Sequence, residues 1–157
     1  MPEPPIELPR PARDRDEEAR HVLALYDRDP ARILARIEDQ LAILAARTQT
    51  LLSLAAVTIT VTGFSGTAIA RSGPAAAYLL VGGLVCVVVG AAIGIRGILT
   101  VRWTTSFAPC SLESALVGAL ELRDRKTRAF GTALRLLVVG LSLYVASIAI
   151  LLVRSAR

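Results

Sequence analysis

The sequence predicts an all-α membrane protein with three transmembrane helices, the first and third of which extend into a cytoplasmic helical stalk. The 157 residues are 54% hydrophobic but only 4% aromatic, and the mean hydropathy is +0.55. The apolar residues come in runs of roughly 20, the length that an α-helix needs to cross a bilayer. After Pro30 no glycine or proline interrupts the chain until Gly63, which favours one long helix.

The N-terminal segment is rich in proline. Its prolines are Pro2, Pro4, Pro5, Pro9 and Pro11. Because proline lacks the N–H that a helix needs, residues 1–15 are predicted to be a disordered tail. The tail contains no apolar core, so the first span is expected to act as the insertion signal. Asp16 is expected to cap a short helix, and Asp29 followed by Pro30 marks a second helix start. Residues 16–47 are therefore predicted to be cytoplasmic helices.

The helix that begins at Pro30 carries an apolar seam. Its members, spaced three and four residues apart, are Leu34, Ile37, Leu41, Leu44, Thr48 and Leu51. The opposite face is charged as far as Arg47, beyond which residues 48–70 carry no charge. Those residues are predicted to form the first transmembrane helix, as an unbroken continuation of the amphipathic segment.

The remaining elements follow from the breakers and caps. A turn at Pro74 precedes the second span, residues 75–95, and residues 104–110 are predicted to be a loop. A charged cytoplasmic helix over residues 111–135 then leads into the third span, residues 136–153.

The lysines and arginines predict the orientation. Of 18 such residues, 15 lie before the first span or between the second and third. This bias places the N-terminus in the cytoplasm and the C-terminus outside. Lys126 is the only lysine, a composition typical of GC-rich bacteria, so a bacterial inner (plasma) membrane is expected. The net charge of +5 lies beside the spans, which favours lipid headgroups as its partners over nucleic acid.

Small residues recur every four positions in the first two spans. They are Thr58, Thr62 and Gly66 in the first, and Gly82, Cys86, Gly90 and Gly94 in the second. Folding the hairpin about Pro74 pairs Gly66 with Gly82, Thr62 with Cys86 and Thr58 with Gly90. Small side chains let helices approach closely, so these residues are predicted to pack the hairpin. The alternatives are that the ridge joins copies of the chain in a homo-oligomer, or that the match arises by chance.

The stalk is predicted to carry flanking ion pairs. With Arg47 placed beside Arg135, opposite charges fall at matching heights. Glu38 and Asp39 are then level with Lys126 and Arg128, and Arg32 and Arg36 are level with Glu121 and Asp124. Each exposed pair contributes little singly. The alternative is a solvated charged face on each helix.

Catalytic chemistry has no visible basis in the sequence. No predicted span contains Asp, Glu, Lys or His, one of which proton relays and ion-coupled transporters usually need. His21 is the only histidine, and Cys86 and Cys110 have no zinc or redox spacing. The sequence therefore predicts a non-enzymatic protein with no catalytic, cofactor-binding or metal site. Tyr144, in the middle of the third span, is expected to donate its hydroxyl to a carbonyl of a neighbouring helix.

Two short segments carry a family resemblance. Residues 47–54 read RTQTLLSL at the entry to the first span, and residues 125–128 read RKTR before the last. With the order of the helices, these segments resemble the small membrane effectors of bacterial anti-phage systems, the Pycsar and SLATT-type groups. The resemblance implies a protein that permeabilises the membrane when activated. The chain has no recognisable nucleotide-sensing module, so sensing would lie in a partner.

Two functions follow from these observations. The first is a structural or accessory subunit whose stalk docks a cytoplasmic protein. The alternative is an oligomeric membrane-perturbing effector or pore. The residues of the first span that could line water in such a pore are Ser53, Thr58, Thr60, Thr62, Ser65 and Thr67.

Overall fold

The computed structural model describes residue 10, residues 12–99 and residues 110–156, which form four α-helices. Helix α1 spans Arg15–Leu25, α2 spans Pro30–Arg71, α3 spans Pro74–Leu99 and α4 spans Leu112–Ser155. The described part of the chain contains no strand, in agreement with the predicted all-helical fold. Helices α2, α3 and α4 are each long and apolar enough to cross a membrane. Most of the predicted tail and the predicted loop at 104–110 lie outside the described residues.

Side-chain caps fix where the first two helices begin. Asp14, and not the predicted Asp16, caps α1, because its carboxylate accepts the backbone N–H of Glu17 at 2.7 Å. Asp16 lies in the first turn, where an acidic group complements the helix dipole. Asp29 caps α2 as predicted and accepts the N–H of Ala31 at 3.0 Å, with proline at the start of the helix.

Helices α2 and α4 are longer than a bilayer requires. They contain 42 and 44 residues, which corresponds to about 60 and 65 Å at a rise of about 1.5 Å per residue. The apolar core of a bilayer is about 30 Å thick. Helix α3, with 26 residues, is about 40 Å long. The amphipathic part of α2 runs into its apolar part without a break, so α2 and α4 both extend past the apolar bundle.

The buried face of α2 differs from the predicted seam at its start. Ile33 is 1% exposed whereas Leu34 is 36% exposed, so the seam begins one residue earlier. Its buried members further along are Ile37, Thr48, Leu51, Ala55, Thr58, Thr62 and Ile69. The spacing of three and four residues therefore continues through the whole helix and keeps one face of α2 against its neighbours.

The closest helix contact joins α3 to α4. A Cβ placed on Gly83 would lie 2.8 Å from the carbonyl oxygen of Gly140, and one on Gly140 would lie 2.7 Å from that of Gly83. Further along, a Cβ on Gly90 would lie 3.0 Å from the carbonyl oxygen of Ala133. The two helices are antiparallel, since higher numbers on α3 meet lower numbers on α4. Only glycine at these positions allows the backbones to approach this closely.

The predicted hairpin register is therefore wrong for part of the ridge. Gly90 faces Ala133 of α4 and not Thr58, and a Cβ on Gly82 would contact Leu143 of α4 at 3.8 Å. Gly66 does face α3, where its nearest side chain is Leu80 at 3.6 Å. Thr58 and Thr62 are buried, and their hydroxyls donate to carbonyls of their own helix. Cys86 is half-buried. Gly94 lies between α2 and α4. The sequence predicted that α2 packs against this face of α3, but α4 packs there instead.

Replacing Gly140 by alanine tests the α3–α4 contact. The added methyl group would meet backbone that cannot move cheaply, so we expect a loss of roughly 1–3 kcal/mol of stability. Gly131→Ala on the same helix is the control, because nothing lies within 4 Å of the added Cβ and alanine favours a helix by about 1 kcal/mol. Thermal unfolding of the purified protein in detergent, followed by circular dichroism, should show a lower midpoint for Gly140→Ala only. Equal midpoints in both variants would contradict the contact.

Candidate interaction site: the groove that holds α1

Helix α1 lies against the parts of α2 and α4 that extend past the apolar bundle. Two of its side chains, Ala19 and Leu23, are one helical turn apart and buried. They enter what we call the α1 groove, formed by Ile33, Ile37, Leu116, Ala119 and Leu120. All seven side chains are at most 7% exposed. This apolar cluster fixes α1, α2 and α4 relative to one another.

A compact turn brings α1 back onto the groove. Asp27 and Arg28 have φ values of 51° and 57°, in the left-handed region that non-glycine residues seldom adopt. The N–H of Arg28 bonds the carbonyl of Leu23 at 2.9 Å, and the N–H of Asp29 bonds that of Tyr26 at 2.9 Å. The first of these bonds satisfies a carbonyl in the last turn of α1. Backbone hydrogen bonds and the packing of α1 in its groove together hold the turn.

Charged side chains close one edge of the groove. The Arg123 guanidinium donates to both carboxylate oxygens of Glu18, at 2.7 and 3.0 Å, and to Asp124 at 2.8 Å. Asp124 also accepts a longer bond of 3.4 Å from Arg15. The paired geometry of a guanidinium and a carboxylate makes the Arg123–Glu18 contact directional. We call these four residues the α1–α4 charge cluster.

The cluster stabilises the charged forms of Arg123 and Asp124. The hydrogen bond to Glu18 is the main cause of the raised pKa of Arg123; burial opposes it, and the bond to Asp124 adds to it. For Asp124 burial is the largest single influence and tends to raise the pKa, but the bonds and charges of Arg123 and Arg15 together lower it. Both groups are therefore ionised near neutral pH.

The predicted ion pairs between α2 and α4 do not form. Arg32 pairs with Asp29 at 3.3 Å, and Glu121 pairs with Arg125 at 3.1 Å, each within its own segment. Asp124 belongs to the α1–α4 charge cluster. The other predicted members, Arg36, Glu38, Asp39, Lys126 and Arg128, form no ion pair with a residue that the structure describes.

The reason for this difference is the register of α2 against α4. Ile37 packs in the same cluster as Ala119 and Leu120, and Gly94 lies between Thr48 and Ala133. Helix α2 is therefore not aligned with α4 as Arg47 beside Arg135 would require. The predicted alignment is displaced by about one helical turn. Helix α1 supplies opposite charges to α4 instead, since Glu18 pairs with Arg123 and Arg15 with Asp124.

Sequence reasoning missed Arg15, Glu18 and Arg123 as partners. A signal was present, since Ala19 and Leu23 share one face of α1 and Glu18 lies beside them. The sequence does not show the direction in which the chain turns after α1.

Hydroxyl groups in the apolar part of the bundle are satisfied locally. The side chains of Ser53, Thr58, Thr60, Thr62 and Ser65 each donate to the carbonyl four residues earlier on α2. One contact crosses between helices: the hydroxyls of Ser65 and Tyr144 are 3.1 Å apart. The partner of Tyr144 is therefore a hydroxyl and not the expected carbonyl. Within the described residues, no group of His, Cys, Asp or Glu is placed to hold a metal ion.

Comparisons with known proteins find no relative of this chain. No protein-family model, no curated protein and no solved structure matches this chain. The site therefore has to be interpreted from its own residues.

Replacing Arg123 by glutamine tests how α1 is held. The change removes the bonds to Glu18 and Asp124, and a loss of about 1 kcal/mol would raise the open fraction of α1 roughly fivefold. We expect amide hydrogen exchange in α1, measured by mass spectrometry in detergent, to rise by that factor. Arg125→Gln is the control, because its partner Glu121 lies on the same helix. The charge cluster does not hold α1 if the two variants exchange alike.

Proposed function

We propose that the chain is a non-enzymatic structural or accessory subunit of a bacterial inner membrane that docks a cytoplasmic protein through a helical stalk. The stalk consists of α1 and the charged parts of α2 and α4. The N-terminus is cytoplasmic and the C-terminus lies outside. The asymmetric distribution of lysine and arginine about the three spans supports this orientation.

The main support for a docking role is the set of charged side chains left on the stalk surface. Arg36, Glu38 and Asp39 are exposed and form no ion pair with a described residue. All three lie outside the α1 groove, to which α2 contributes Ile33 and Ile37. Internal packing therefore does not use them, and they are available to a partner that supplies complementary charges.

The stalk is also suited to hold a defined shape. Its apolar cluster joins three helices, and the α1–α4 charge cluster fixes α1 at one edge. A surface built on rigid helices presents its charges at fixed spacing, which favours specific recognition over non-specific attraction.

A pull-down from native membranes tests this role. Neutralising Glu38 and Asp39 together, to Gln and Asn, should reduce recovery of a stoichiometric partner, because the complementary charges lose their counterparts. Arg71→Gln at the opposite end of α2 is the control and should leave recovery unchanged. A wild-type sample without any stoichiometric partner would argue against the accessory role.

A second function, an oligomeric membrane-perturbing effector, is favoured by one observation. The outward face of α2 has its own run of small or short polar residues, spaced four and three apart and all exposed: Gln49, Ser53, Ala56, Thr60, Gly63, Thr67 and Ala70. A Cβ on Gly63 would meet nothing within 4 Å. Other exposed side chains are larger than those of this run, for example Phe64 beside it on α2, and Tyr78 and Val81 on α3. A second copy of α2 could approach closely along such a ridge.

Native mass spectrometry in nanodiscs tests the effector. For an oligomer joined along this ridge, Gly63→Leu should yield monomer, because the larger side chain separates the helices. Ala68→Leu, exposed on the same helix but off the ridge, should leave the oligomer intact. The oligomer should also release dye from liposomes. A monomeric wild type that releases no dye excludes this function.

A further inference from the structure

Three helices bring arginines to one height at the edge of the apolar bundle. Gly94 marks that height, because a Cβ there would lie 3.5 Å from Thr48 of α2 and 3.9 Å from Ala133 of α4. Arginines follow closely on each helix. They are Arg47 on α2, Arg96 on α3, and Arg128 and Arg135 on α4. At a rise of about 1.5 Å per residue, three of the four lie within about 3 Å of this height and Arg128 within about 8 Å.

These four arginines, which we call the arginine collar, are all exposed. Arg47, Arg128 and Arg135 form no ion pair with a residue that the structure describes. Arg135 donates to the carbonyl of Gly131 on its own helix at 3.2 Å, and Arg128 donates to that of Asp124 at 3.4 Å. Each of these bonds occupies only one of the five N–H donors of a guanidinium.

Among the residues that the structure describes, no acidic side chain pairs with Arg47, Arg128 or Arg135. The sequence contains no Asp or Glu from residue 40 to residue 112, and none after Asp124. Asp124 is already bound by Arg123 and Arg15. The positive charges of Arg47, Arg128 and Arg135 are therefore not balanced by an acidic side chain that the structure describes.

The position of the collar indicates a source of balancing charge. Directly beyond it lies the apolar cluster of Leu51, Ala55, Val87, Ala133 and Leu137. If the apolar segments cross the bilayer, the collar lies at the level of the lipid phosphates. Guanidinium groups bind phosphate through paired hydrogen bonds, which suits them to this position better than lysine.

The opposite end of the bundle is different. There the Arg154 guanidinium donates to the backbone carbonyl of Ser72 and so closes the turn between α2 and α3. Arg154 thus has a partner within the fold. Among the described residues, Arg71 is the other arginine at that end, so more exposed arginines lie at the collar end.

We propose that the arginine collar binds the phosphate groups of anionic phospholipids in one leaflet. The proposal depends on the three helices crossing the membrane and not on any protein partner of the stalk. An anionic lipid bound by Arg47 and Arg135 would bridge α2 and α4 at the edge of the apolar bundle, and would fix the depth of the bundle in the bilayer.

Lipid titrations of the full chain in detergent, followed by native mass spectrometry, test the proposal. Phosphatidylglycerol should bind more tightly than phosphatidylcholine with the same acyl chains. Because each arginine near an anionic surface contributes about fivefold in affinity, Arg47→Gln with Arg135→Gln should weaken phosphatidylglycerol binding roughly 30-fold. Binding of phosphatidylcholine should not change.

The matched control removes the same charge elsewhere. Arg20→Gln with Arg36→Gln alters two exposed arginines of the stalk and should retain wild-type lipid affinity. Equal affinity for the two lipids, equal loss in both double variants, or full displacement by millimolar inorganic phosphate would each overturn the proposal. If circular dichroism shows that the collar variant melts early, Arg135→Gln alone should still weaken binding about fivefold. None of these outcomes depends on whether the stalk captures a protein.

Discussion

The backbone contact between Gly83 and Gly140 is the constraint on which the rest of the bundle depends. Membrane helices gain little from hydrophobic association, because lipid chains are as apolar as leucine, so close packing of backbones has to hold them. Gly83 and Gly140 face each other where α3 and α4 cross, and a Cβ added to either would overlap the carbonyl oxygen of the other. Once this register is set, Gly94 can reach both α2 and α4. The contact therefore determines the heights of all three apolar helices.

The same register decides what happens outside the apolar bundle. It displaces α2 along α4 by about one helical turn from the alignment that the sequence favours, and the predicted ion pairs between these helices do not form. Helix α1 then provides Glu18 to Arg123 and Arg15 to Asp124, while its apolar face completes the cluster with Ile33 and its neighbours. Charges that α1 does not neutralise remain on the surface, where a protein partner can contact them.

The molecule thus has two surfaces with different chemistry at different heights. The stalk carries mixed charges, with acids beside arginines along α2, and is suited to a protein of complementary pattern. The collar carries positive charge alone and lies against apolar side chains, and is suited to an anionic interface. Five of the six hydroxyls of α2 that a water-filled pore would use, all but that of Thr67, are bonded to their own helix. A pore would require the spans to rearrange or to assemble with other copies.

The sequence by itself determined the number and type of the helices, the start of α2 at Asp29 and Pro30, and the continuity of its amphipathic and apolar parts. These features depend on local propensity, capping and hydrophobic length, which neighbouring residues specify. Only the tertiary structure decided that α4 and not α2 faces Gly90, that α1 occupies the groove, and that arginines of three helices lie near one height. A periodic pattern identifies the face of a helix that is buried, but the partner and the register depend on backbone distances between helices far apart in sequence.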